Sequence, residues 1–140
     1  MIVFVAMLVG CGNGKDTSDV DFEFHTFRNE GVGEAREITR LMNLSELNYY
    51  LYEHDINDGE FYEFLTEHYT ADFFALNYIV FITLPGGGAD SFVVASVKSN
   101  GNIHISQKIG ILANVESWKV VIELPITFAP ATFQIELNEV

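Results

Sequence analysis

The 140-residue chain is long enough for one domain, and nearly half of its residues are hydrophobic, so it can bury a core and is not a disordered acidic tail. Seven basic against twenty acidic side chains leave a formal net charge of −13, which repels phosphate backbones and excludes nucleic acid as a natural partner. The single cysteine, Cys11, excludes an intramolecular disulfide and any Cys-based metal cluster.

The chain opens on an uncharged apolar run, Met1 to Val9, far too short for a membrane-spanning helix, which needs roughly 20 residues. Its length is that of the hydrophobic region of an export signal, although no Lys or Arg precedes it. The run ends in Leu8-Val9-Gly10-Cys11. That tetrad resembles the lipobox of bacterial prolipoproteins: an aliphatic residue, a small or branched one, Gly or Ala, then the acceptor Cys. The resemblance implies a diacylglycerol on the Cys11 thiol, cleavage after Gly10, and anchorage to a membrane of the cell envelope by two or more acyl chains. Residues 1–10 are then the signal and 11–19 a polar tether (Gly-Asn-Gly-Lys-Asp-Thr-Ser after the cysteine), with the domain spanning 20–140. The alternative reading of the same residues is a buried first strand with Cys11 as a core thiol.

In the domain, Val20, Phe22 and Phe24 alternate with Asp21, Glu23 and His25, the period of a half-buried strand, and Gly31 and Gly33 end it. A second short strand is expected around Glu37–Met42. Ser45 is expected to cap a helix over Glu46–His54, with Leu44 as staple and Leu47, Tyr50, Leu51 and His54 on its apolar face. A second helix, Glu60–His68, places Phe61, Phe64, Leu65 and His68 together, and Thr70 caps a short turn through Phe74. Tyr78–Leu84 is apolar throughout, as in a central strand covered on both sides. Pro85–Asp90 reads as a loop, Phe92–Val97 as a strand, and Asn100-Gly101 as a hairpin turn leading into Ile103 and Ile105. Trp118–Leu124 and Phe133–Asn138 alternate as two further strands. The fold expected is α+β: a mainly antiparallel β-sheet with two or three short helices before the main strand run.

The double Phe at 73–74, the strand from Asn77, the Gly-rich loop, Asn100-Gly101, and Trp118-Lys-Val-Val-Ile-Glu-Leu-Pro125 together are similar to the PrcB-type C-terminal domain, over roughly Leu65 to Asn138. That domain is named after a protease-complex subunit and occurs in small bacterial lipoproteins. Where the family pattern has Ser-Gly-Ser after the first strand, this chain has Gly86-Gly87-Gly88-Ala89-Asp90-Ser91. The resemblance implies a non-catalytic accessory or binding domain.

Chemistry-bearing motifs are sparse. No Gly-x-Ser-x-Gly turn occurs, and His25, His54, His68 and His104 are scattered without His-Glu-x-x-His spacing. Counted from Asp55, a calcium loop would need Gly at its sixth position and Glu at its twelfth, where this chain has Glu60 and Thr66, so a helix-connecting turn is the better reading. No metal, cofactor or catalytic residue is assigned. Tyr49, Tyr52 and Tyr62 fall off the apolar helix faces and, flanked by acids, are the expected partner surface. The function expected is a lipid-anchored binding or accessory protein for a protein partner; the alternatives are a sensor for a small molecule or cation and, behind it, a hydrolase.

Overall fold

A computed structural model of the chain describes residues 2–5, 18–29, 36–111 and 115–140. Strand β4 (Asn77–Gly87) sets the architecture, because its alternate residues enter two different cores. Tyr78, Val80, Ile82 and Leu84 face one side; Ile79 and Phe81 face the other. An unbroken apolar run is thus the signature of a strand covered on both faces.

β4 lies in a five-stranded antiparallel sheet ordered β1-β2-β7-β4-β3, with β1 (Ile2–Val5), β2 (Phe22–Asn29), β3 (Glu37–Leu41) and β7 (Val115–Pro125). On one face sits a smaller sheet, β5 (Ser91–Val97), β6 (Asn102–Lys108) and β8 (Gln134–Glu139), whose Phe92, Val94, Val97, Ile103 and Ile105 meet Phe22, Phe24, Val120, Ile122 and Leu124. On the other face lie α1 (Leu44–Glu53), α2 (Gly59–His68) and α3 (Ala71–Phe74), which bury Leu47, Tyr50, Leu51, Leu65 and Phe74 against Ile79, Phe81 and Val121. The molecule is α+β and mainly β, as expected, in three layers.

Several local expectations change. Asn43, not Ser45, caps α1: its side chain accepts the Glu46 N–H at 2.8 Å, and the Glu46 carboxylate reaches back to the Met42 N–H at 2.8 Å. The cap moves forward because Asn43 with Glu46 forms the reciprocal box that Ser45 has no partner to make. The expected loop at Pro85 begins three residues late, since β4 continues through Pro85-Gly86-Gly87 in register with Val115–Ser117. The carboxylate of buried Asp90 then closes the turn by accepting Gly87 N–H (2.9 Å), Gly110 N–H (2.8 Å) and the Gln107 amide (2.9 Å). The Asn100-Gly101 hairpin forms as expected, with Gly101 at φ 94. β8 joins β6 in parallel, a departure from the antiparallel run.

At the N-terminus, Ile2–Val5 of the expected signal segment pair antiparallel with Phe22–His25 as an edge strand. The expected tether ends earlier than residue 19. Asp19 bridges to Lys98, by backbone pairing and by an ion pair, and Ser18 O accepts the Ser99 N–H. Cys11 lies outside the described residues.

Candidate functional site

Between Leu41 and Val97 the sequence has no lysine or arginine, while residues 42–76 carry Glu46, Glu53, Asp55, Asp58, Glu60, Glu63, Glu67 and Asp72. The helical layer is therefore acidic without local compensation, a charge segregation that the net charge alone does not show. In this layer an open groove of about 580 Å³ runs between β3 and α1. Leu41 and Tyr50 form its apolar floor, and Glu37, Glu46 and Glu53 stand along it. Among the described residues Arg40 contributes the only lysine or arginine to the groove lining, yet its guanidinium points to the opposite face of the sheet, donating to Pro130 O at 2.8 Å and lying 4.6 Å over the Phe133 ring. β3 is the last strand of its sheet, so its outer edge has no strand neighbour among the described residues.

The sequence-predicted tyrosines divide. Tyr49 lines the groove at 65 % exposure and donates to Glu53, whose hydrogen bond and charge raise the phenol above its ordinary range. Tyr52, on the same helix, is 81 % exposed. Tyr62 does not join them: it is half-buried against the helix-side core, because α2 turns a broad face, Phe61, Tyr62, Phe64 and Leu65, toward the sheet. His54 and His68 stack on Tyr50 and Phe64, each ring at 4.0 Å, with Nδ1 at 2.9 Å from the carbonyl four residues back. Packing on the last helical turn accounts for both.

A second constellation was not visible in the sequence. Glu23 and Glu123 face each other directly across β2 and β7, on the side covered by the helices. His25 Nε2 donates to Glu123 Oε2 at 2.8 Å, and the Tyr69 hydroxyl donates to the same oxygen at 2.8 Å. His25 is only 3 % exposed, packed 4.5 Å from the Phe64 ring, and Tyr69 is fully buried. Burial pushes the Glu123 carboxyl up, but the His25 and Tyr69 hydrogen bonds and the His25 charge outweigh it and hold it below its ordinary value. Glu23 moves the other way: burial first, then the charge and hydrogen bond of Glu123, raise it. Burial, then the Glu123 carboxylate, drive the Tyr69 phenol far above the usual range, so it stays a donor. The four side chains thus bring two carboxyl groups together with an imidazole and a phenol beside them. An open cleft of about 380 Å³, bounded by Asp21, Glu23, Phe73, Asn77 and Glu123, leads to it.

Family models, characterised proteins and solved structures give no match to this chain. Among the described residues, no helix is long and apolar enough to cross a membrane.

Proposed function

We propose that the chain is a non-catalytic binding module, anchored to a bacterial membrane through lipid on Cys11, whose β3–α1 groove takes an extended basic segment of a protein partner. The observation that carries the reading is an acidic groove laid beside an open strand edge. An extended peptide added to β3 satisfies the edge N–H and C=O groups, and its Lys or Arg side chains meet Glu37, Glu46 and Glu53. The uncompensated acidity of the helical layer steers such a segment and disfavours acidic ones. Leu8-Val9-Gly10-Cys11 supports the anchor, and the edge position of β1 is compatible with its removal, since β2 stays paired with β7 over Glu23–Asn29. The likeness to the PrcB-type domain is supported only by packing: Phe74 fills the helix-side core, and the Trp118 indole N–H donates to Gly87 O at 3.1 Å.

Titration with a Lys/Arg-rich extended peptide, followed by backbone NMR, tests the groove. Shifts concentrated on Glu37–Leu41 and Leu44–Glu53, weakened by salt and by the E37Q/E53Q double variant, are expected. Equal binding of the Asp/Glu-rich counterpart, or shifts confined to other elements, would refute it. Fatty-acid labelling in a bacterial host, lost in C11A, tests the anchor separately. A cation-binding sensor is the second reading, favoured by the Glu23–His25–Glu123 cluster.

A further inference from the structure

We infer that Glu23, His25 and Glu123 form a binding site for a divalent transition-metal ion of the zinc type, with Tyr69 positioning Glu123. The inference deepens the second reading and does not depend on the groove. Two carboxylates directly opposite on one face of an antiparallel pair repel each other. A fold that keeps them there, half-buried, must offset that repulsion, and positive charge between them does so. Lys119, on the same face of β7, does not supply it, since its ammonium is bonded to Thr83 at 3.0 Å. His25 supplies a nitrogen instead, and one donor atom from each of the three side chains lies within 4.8 Å of the other two. Donors about 2.0–2.2 Å from a tetrahedral metal stand roughly 3.4 Å apart, so side-chain rotation alone closes the set.

The donor chemistry selects the ion. Calcium and magnesium take all-oxygen ligand sets, whereas an imidazole beside carboxylates suits zinc and its first-row neighbours. The Tyr69 hydroxyl on Glu123 Oε2 is the outer partner that fixes a ligating carboxylate. Three protein ligands beside an open cleft leave a coordination position for water or for a group from a bound molecule.

The test is calorimetric titration of the whole chain with Zn²⁺ alone, with Mg²⁺ and Ca²⁺ as comparisons. One Zn²⁺ per chain and little response to Mg²⁺ or Ca²⁺ are expected. E23Q alters a half-exposed group and keeps its shape, and should weaken binding roughly a hundredfold; Y69F should weaken it about tenfold. Co²⁺ bound in place of Zn²⁺ should give visible d–d absorption that E23Q abolishes. H104Q, at the surface pair His104–Glu136, should change nothing. No saturable Zn²⁺ binding, or binding that E23Q leaves intact or H104Q removes, would overturn the site and leave only adventitious surface carboxylates.

Discussion

Replacing Asp90 with alanine removes the acceptor that holds the β4–β5 turn to the end of β6. Three donors lose their partner at once: the Gly87 and Gly110 N–H groups and the Gln107 amide. Orphaned donors cost about 1–3 kcal/mol each when buried, and part of this turn can recruit water, so a total loss of about 3 kcal/mol is expected. For a domain of this size that lowers the Tm by roughly 10 °C. D90N is milder, about 1.5–2 kcal/mol. Its oxygen can still take the two bonds made to Oδ2, but its NH₂ then faces the Gly110 N–H. Burial raises the Asp90 carboxyl, yet the Gly110, Gly87 and Gln107 bonds prevail and hold it below 3.8. A depressed carboxyl contributes its full stability above the unfolded value and loses it as pH falls through the folded one. The gap between wild type and D90N should therefore be constant above about pH 5 and close progressively below pH 4. Urea unfolding read by the single tryptophan measures this directly, because the Trp118 indole bonds to Gly87 O inside the same turn. A D90A variant within about 0.5 kcal/mol of wild type, or a D90N gap that widens in acid, would refute the reasoning.

Two further substitutions probe turns and caps. Gly101 sits at φ 94, and a Cβ there would stand 2.2 Å from Thr132 O, so G101A should cost roughly 3 kcal/mol and loosen the β6–β8 pairing in hydrogen exchange. N43A removes one half of the α1 cap and should cost about 1 kcal/mol by urea unfolding, whereas S45A, at an exposed position without the cap bond, should stay within about 0.5 kcal/mol.

What the sequence made legible is what local chemistry decides. Tyr78–Leu84 declared a doubly covered strand because no polar residue but Thr83 interrupts it, and Asn100-Gly101 declared its turn because Gly101 alone tolerates that backbone. What stayed hidden depends on partners far along the chain. Glu23 and His25 read as the solvated side of β2, an alternation that holds only if nothing covers that side. α2 does cover it, and Phe64 packs on His25. Glu123, the acceptor for His25, lies 98 residues away, and no spacing rule joins them. The strand at Pro85–Gly87 was hidden for a similar reason: glycines signal a loop, and only pairing with Val115–Ser117 makes them strand. The groove was half legible, since Tyr49 and the acids of α1 were visible but the lone edge of β3 is a property of strand order.

Strand order also bears on how an anchored module would present its groove. Past β1, the described chain is fastened again from Ser18 onward, where Ser18 and Val20 bond to Ser99 and Val97 at the end of β5. A lipid on Cys11 would then hold the domain by residues 11–17 alone, a reach of at most about 25 Å when fully extended. The domain would ride close to the bilayer, with little freedom to turn. In the sheet, β2, which that segment feeds, and β3, which carries the groove, are separated by β7 and β4, a span of about 14 Å at ordinary strand spacing. With such an anchor, the short leash and the lateral offset together would place the acidic groove to the side of the attachment point. The groove would then compete with the anionic lipid surface for the Lys and Arg side chains of a basic segment, so its capture should weaken as the anionic lipid fraction rises. Vesicle-tethered protein, titrated with the Lys/Arg-rich peptide over neutral and anionic lipids, should show that loss, and affinity independent of lipid charge would refute the geometry.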